Sequence, residues 1–329
     1  MRVIVGAGAV GLVMGARMER AGDPVVFLTR RSEVADLIER DGIRIEDAMN
    51  EETFEVRTRA TADPEAAVSL ADGGEILFCV RGSQVGGVAE SLARFALSAT
   101  AVCWQNDVAS EDVLAQQFPR VIGGVVRLTS TRTAPNAAIA AGTGRLVVGD
   151  YPSGASAAAH DLAEALRRAR YDVGVSTEIS RDKWLKLCIN LMSAPNALIR
   201  KADHTTEAFV EIKARLLEEA RDALFAEGID AASCDGHDRT LEDEIVLQRE
   251  SHHRGTSTRS IPVFNQVWAA LMHGGPLEAD GYHRRILALC GRHGIAAPIN
   301  RRVLEALDRA VETRLGPESM GADELLGDD

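Results

Sequence analysis

The chain has 329 residues, which at about 150 residues per domain suggests two domains. Apolar residues make up 46% and charged residues 26%, which excludes a disordered chain and, with the ordinary Gly, Pro and Cys content, the collagen-like and disulfide-scaffold classes. Lys and Arg number 37 against 49 Asp and Glu, a net charge of −12 that repels phosphodiester backbones and anionic lipid, so no nucleic acid and no membrane is expected as a partner.

The first half alternates strand and helix patterns. Strands are predicted at 2–5, 25–29, 75–80, 100–104 and 121–128, and helices at 10–21, 33–40, 85–95 and 111–118. Further strands follow at 144–150 and 172–176, with an Ala-rich helix at 155–170 between them. This alternation implies an α/β domain, a Rossmann-type doubly wound parallel sheet. After about residue 179 the strand-like runs vanish. Helical patterns cover 181–198, 206–227, 241–250, 262–272, 278–293 and 301–314. The expected organisation is a dinucleotide-binding domain at 1–177, an all-α domain at 178–314 and an acidic, solvated tail at 315–329.

The uncharged stretch 3–16 is interrupted by four glycines and followed by Arg17, which argues against a secretory signal. No run of 18 apolar residues exists, so no spanning helix is expected. The five cysteines (Cys79, Cys103, Cys188, Cys234 and Cys290) are far apart and show no CxxC spacing. They read as reduced thiols of a cytoplasmic protein, with no metal site. His252-His253 lacks further ligands at suitable spacing.

The strongest local motif is Gly6-Ala7-Gly8-Ala9-Val10-Gly11, a GxGxxG that follows one predicted strand and opens a helix. Gly6 permits the tight turn, Gly8 lets a pyrophosphate approach the backbone, and Gly11 lets the helix pack close on the strand. The helix N-terminus then offers free N–H groups and a positive dipole end. The bland reading is a glycine-rich turn that binds nothing. The second strand runs into Leu28-Thr29-Arg30-Arg31-Ser32 with no acid before Glu33. An acid there would suit the ribose hydroxyls of NAD, whereas two arginines suit a 2′-phosphate, so NADP(H) is preferred over NAD. Arg81 follows another strand at a position where ligands of such sheets sit, and is a candidate for the adenosine phosphates.

In the second half, 182–196 forms an apolar-rich helix carrying Lys186 and Asn190 one turn apart on one face. A partly desolvated lysine is a better proton donor near neutral pH, and the alternative is a lysine whose stem covers apolar surface.

These motifs resemble the ketopantoate reductase (2-dehydropantoate 2-reductase) family over nearly the whole chain. The likeness rests on the Gly6/Gly8/Gly11 motif, Arg81 where the family usually has lysine, and Gln105-Asn106-Asp107. It continues in Trp184-x-Lys186-x-x-x-Asn190, Leu277-Glu278-Ala279-Asp280 and the run from His293 to Asn300. The resemblance implies NADPH-dependent reduction of a 2-oxo acid, with ketopantoate to pantoate the leading case. Lys186 would be the general acid and Asn106 would bond cofactor or substrate. Asn190 would bond substrate oxygens, and Glu278 would hold a substrate hydroxyl or the cofactor and influence the lysine's charge. Ala7, Ala9 and Val10 complete the cofactor loop.

The pattern departs from the family on the substrate side. Asp107 replaces a glycine, Ala194 replaces a second asparagine, and His283-Arg284 replace Asn-Gly. Asn196 and Ser193 are the candidates to compensate for Ala194. The family's Ser-Ser-Met stretch has no recognisable counterpart near Asn265 and Gln266, and the polar stretch 251–260, with Arg259 and Ser260, is the other place to look. A different 2-oxo acid, another β-hydroxyacid-type dehydrogenase, and a non-catalytic NADP(H) sensor are the competing readings. Homodimers are the commonest assembly and the expectation for the helical half.

Overall fold

The computed structural model describes residues 1–48, 51–141, 144–251, 266–275 and 277–327. In chain order the first half contains β1 (Arg2–Val5), α1 (Ala9–Arg20), β2 (Val25–Leu28), α2 (Ser32–Asp41), β3 (Ile43–Asp47), β4 (Glu52–Val56), β5 (Arg59–Thr61) and α3 (Pro64–Ala71). It continues with β6 (Ile76–Phe78), α4 (Gly82–Ala93), β7 (Thr100–Cys103), α5 (Ser110–Ala115), β8 (Arg120–Arg127), β9 (Ser130–Ala134), β10 (Ala137–Ala140), β11 (Arg145–Asp150), α6 (Ala157–Arg168) and β12 (Asp172–Val175).

Eight strands form one sheet in the order β12-β11-β8-β7-β6-β1-β2-β5. From β5 to β8 every neighbouring pair is parallel. The order reverses between β1 and β6, which opens a crevice beyond their carboxyl ends. The sheet is apolar on both faces, as a covered parallel sheet requires. Ile4, Phe27 and Leu77 join Leu12 and Met14 of α1 on one side. Val3, Val5 and Phe78 join Val68, Val85 and Ala89 of α3 and α4 on the other.

Two features depart from the parallel sheet expected. β11 runs antiparallel to β8, because no crossover helix separates them. The intervening chain instead forms β9 and β10, which join β3 and β4 in a second sheet, β4-β3-β10-β9, packed on α1.

Gly15 shows how tightly α1 sits on the large sheet. A Cβ there would collide with the Phe27 ring and press on Ile4. Gly15→Ala is therefore expected to destabilise this unit by about 1–3 kcal/mol, the usual cost of overpacking. Urea unfolding checks it, and an unchanged midpoint contradicts the packing.

The second half is helical: α7 (Ile179–Leu191), α8 (Ser193–Leu198), a 3₁₀ turn (Lys201–Thr205), α9 (Glu207–Glu227), α10 (Leu241–Ser251), α11 (Gln266–His273), α12 (Ala279–His293), α13 (Pro298–Glu312) and α14 (Ala322–Leu326). The long helix expected over 181–198 is two helices. Pro195 has no N–H to donate to the Leu191 carbonyl, and the first helix stops there. α9 is the axis of this half. It starts at Thr206, whose hydroxyl accepts from the Phe209 N–H (3.3 Å), and ends at Gly228 in the left-handed region. Its buried Ile212, Leu216, Leu217 and Leu224 face the other helices, and α10, α12, α13 and α14 pack on it.

The chain divides into two compact units, Met1–Lys183 and Trp184–Asp329. The division falls inside α7, six residues beyond the expected boundary at 177. The head of α7 belongs with the sheet because Ile179 packs on Val125 and Val147. The expected solvated tail at 315–329 needs correction. Ala322 and Leu325 are buried, Arg302 donates to the Leu326 carbonyl, and Met320 forms a bridge with Ile199. The apolar positions of α14 are what hold it. Among the described residues, no helix is long and apolar enough to cross a membrane.

Candidate active site

In the first unit, Gly6 to Gly11 form the turn from β1 into α1. Gly6 has φ +102°, a conformation that favours glycine, and its Cα lies close against Val80 and Cys79 at the end of β6. A Cβ on Gly11 would strike the Gly6 carbonyl, so Gly11 closes the turn on itself. Gly8 differs. A Cβ there would meet only the Cys79 carbonyl, at 3.8 Å, so it is not the fold that demands glycine here. The space beyond that position is open. α1 has no side-chain N-cap and no acid in its first turn, so its N-terminal dipole is uncompensated. Ala7, Ala9 and Val10 are half-buried along this rim.

Arg30 and Arg31 lie exposed just past β2, and Arg31 is the N-cap residue of α2. Arg81 lies exposed past β6 as the N-cap residue of α4. None of the three guanidiniums has an ionic partner among the described residues. In a chain with a net charge of −12, these three arginines beyond strand carboxyl ends leave positive charge free of ion pairs among the described residues. Sequence reasoning missed a fourth guanidinium. Arg132 of β9 donates to the Ala7 carbonyl (3.4 Å), because the second sheet lies over α1.

Past β7, Gln105 is buried, and its amide nitrogen donates to the carbonyls of Phe78 (2.8 Å) and Val80 (2.7 Å). This ties the ends of β7 and β6 together and leaves Asn106 half-buried between them and Asp107. Asp107 lies outside the left-handed region, so its replacement of a glycine brings no backbone strain. Its Oδ1 accepts from the N–H groups of Ala109 (2.9 Å) and Ser110 (2.7 Å), and its Oδ2 from the Ser110 hydroxyl (2.8 Å). It caps the start of α5.

In the second unit, Lys186 and Asn190 lie half-buried one turn apart on α7. Glu278 is half-buried at the N-cap of α12. Lys186 and Glu278 both engage partners. The Arg285 guanidinium of α12 stacks over the Trp184 ring at 5.5 Å, joining the two helices that carry Lys186 and Glu278. Ala194 is fully buried, so the position of the family's second asparagine is here part of the core. Asn196 is exposed on α8, and the Ser193 hydroxyl donates to the Asn190 carbonyl (2.6 Å). The stretch with His252, His253, Arg259, Ser260 and Asn265 lies outside the described residues. Gln266 begins α11 and is exposed.

His283 and Asn300 turn out to be packing residues. Both are fully buried, and His283 Nδ1 lies 2.8 Å from Asn300 Oδ1. Asn300 Nδ2 donates to Glu219 Oε2 (2.8 Å), so its oxygen faces the ring and the imidazole carries its proton on Nδ1. Glu219 in turn accepts from the N–H groups of Ile299 and Asn300, capping α13 from α9. The network fixes α12, and with it Glu278. Arg284 adds an exposed pair to Asp308 (2.8 Å).

Burial pushes the His283 pKa down to about 4. Between the ordinary value near 6.5 and about 4, the unfolded chain binds a proton that the folded chain does not. Stability is therefore fully present above pH 6.5 and falls as pH drops, by about 3 kcal/mol over the window. Burial raises the pKa of Glu219, which gives a slope of opposite sign. Comparing the pH dependence of urea unfolding in the native chain and in His283→Gln isolates the histidine. The native chain is expected to lose stability faster on acidification, and parallel curves contradict this.

Residues 3–153 match the family model described as "Ketopantoate reductase PanE/ApbA". A 2-dehydropantoate 2-reductase of Halobacterium salinarum is 26% identical over 310 residues, covering 93% of this chain and 97% of the relative. Among solved structures, a PanE/ApbA family ketopantoate reductase from Ralstonia eutropha JMP134 superposes with a TM-score of 0.77 at 23% identity, over 95% of this chain and 99% of that one. A D-mandelate dehydrogenase solved with NADH and anilino(oxo)acetate also gives 0.77, at 17% identity, over 95% and 99%. At such identities the solved structures establish the fold.

Proposed function

We propose that the chain is a ketopantoate reductase family member that reduces a 2-oxo acid to a 2-hydroxy acid with NADPH, ketopantoate to pantoate being the leading case. As a member it is an oxidoreductase acting on CH–OH groups. The observation that carries the cofactor reading is the open space at Gly8 together with the uncommitted Arg30 and Arg31. When bound, the dinucleotide supplies a hydride to C2 of the substrate.

The chain's own residues do the rest. Backbone N–H groups at the start of α1 hold the pyrophosphate, and Arg81 reaches the adenosine phosphates. Arg30 and Arg31 hold the 2′-phosphate by charge-assisted hydrogen bonds. Asn106 orients the nicotinamide end or the substrate. Lys186 gives a proton from its ammonium to the alkoxide forming at C2. Asn190 hydrogen-bonds the substrate oxygens, and Asn196 is the remaining amide available to it. Glu278 holds a substrate hydroxyl or the cofactor, and its negative charge favours the protonated lysine.

A different 2-oxo acid is the second reading, favoured by the burial of Ala194 where the family keeps an amide. NADPH oxidation by the purified protein with ketopantoate, other branched 2-oxo acids and pyruvate, with NADH in parallel, separates the two. Turnover confined to ketopantoate supports the leading case. Turnover on another member keeps the chemistry and reassigns the substrate. No turnover with NADPH still bound removes the reductase reading in favour of a sensor.

A further inference from the structure

We propose that a buried Lys183–Glu111 ion pair is a clamp that presets the Asn106 turn, which makes Lys183 a positioning residue for the nicotinamide end of the cofactor; the proposal rests on the role of Asn106 given above.

Lys183 and Glu111 are 4% and 1% exposed and pair directly. Burial opposes the Lys183 charge, but the Glu111 carboxylate in direct contact offsets it, and the pKa is raised. Besides Glu111, the ammonium donates to the Gln105 carbonyl (3.0 Å). That carbonyl belongs to the peptide bond that leads into Asn106. The Gln105 side chain is fixed at both ends, by its bonds to Phe78 and Val80 and by the Cys103 thiol, which donates to Oε1 (3.0 Å). Asp107 is fixed on the other side as the cap of α5. Asn106 thus lies between two immobilised residues, and its own amide has no partner among the described residues.

A buried ion pair is a poor way to gain stability, because desolvation consumes most of the attraction and apolar residues of similar volume serve as well. What this pair does that apolar residues cannot is hold a carbonyl at a fixed place. It is also anchored where α7 begins, one helical turn before Lys186.

The test is the double variant Lys183→Met with Glu111→Leu, which leaves no unpaired charge and so keeps the fold, confirmed by its unfolding midpoint. Two ligands are titrated: NADPH, and 2′,5′-ADP, which has the adenosine phosphates but no nicotinamide. The clamp predicts that NADPH binding weakens at least fivefold or that kcat falls at least tenfold, with 2′,5′-ADP affinity unchanged within twofold. It also predicts non-additivity with Asn106→Ala, which should cost little more in the double variant, since both remove the same contact. Additive losses, equal losses for the two ligands, or unchanged binding and kcat each overturn it. The binding comparison needs no turnover, so a protein that reduces none of the acids would sink the reductase reading while the clamp is still tested.

Discussion

Lys186→Ala is expected to lower kcat by about two orders of magnitude or more, the contribution of a positioned general acid. Hydride arrival at C2 would leave an alkoxide whose charge must be met as it forms, and of the two lysines of α7 it is Lys186 that lies half-buried beside Asn190, Lys183 being paired with Glu111. The loss should fall on kcat while NADPH binding stays within a few-fold, because the cofactor's phosphates are assigned to other residues. Lys186→Arg should not rescue it, since a guanidinium keeps the charge but does not release its proton at neutral pH. A kcat within about threefold of the native value would mean that the lysine stem merely covers apolar surface.

Replacing Arg30 and Arg31 together by alanine is expected to weaken NADPH by about 100-fold and to leave NADH nearly unchanged. Hydrogen bonds to a charged group contribute about 1.5–3 kcal/mol each, and the two cofactors differ only in the 2′-phosphate. No acid lies between the end of β2 and Glu33 to compete for that position, and neither guanidinium has a partner among the described residues. Isothermal titration with both dinucleotides decides the matter. Equal losses for NADPH and NADH would mean that the arginines do not hold the 2′-phosphate.

What could be read from the sequence follows how local each signal is. β1 and α1 are legible because an apolar run, a glycine turn and an amphipathic helix succeed one another within 20 residues. The second sheet is not. β9 is a polar, partly exposed strand, and β3 pairs in parallel with β10 from far along the chain. The antiparallel return of β11 is likewise set by which strand lies next to β8, not by its own residues.

The site divides in the same way. Gly6, Gly8, Gly11, Arg30, Arg31 and Arg81 could be singled out as candidates because each follows closely on a strand in sequence. Lys183 and Glu111 are 72 residues apart, and nothing near either marks the other. One signal did exist: Lys183 is four residues after Ile179, on the helix face that packs on the sheet. Asn300 serves the packing of α13 through Glu219 and His283, a role visible only once three helices meet.

A single-turnover reaction with NADPH carrying deuterium at the transferred C4 position, analysed by mass spectrometry of the product acid, tests the central claim most directly. The account predicts a 2-hydroxy acid with one deuterium at C2, formed in step with loss of NADPH absorbance. A product without deuterium, or bound NADPH that stays reduced in the presence of every 2-oxo acid tried, would contradict it.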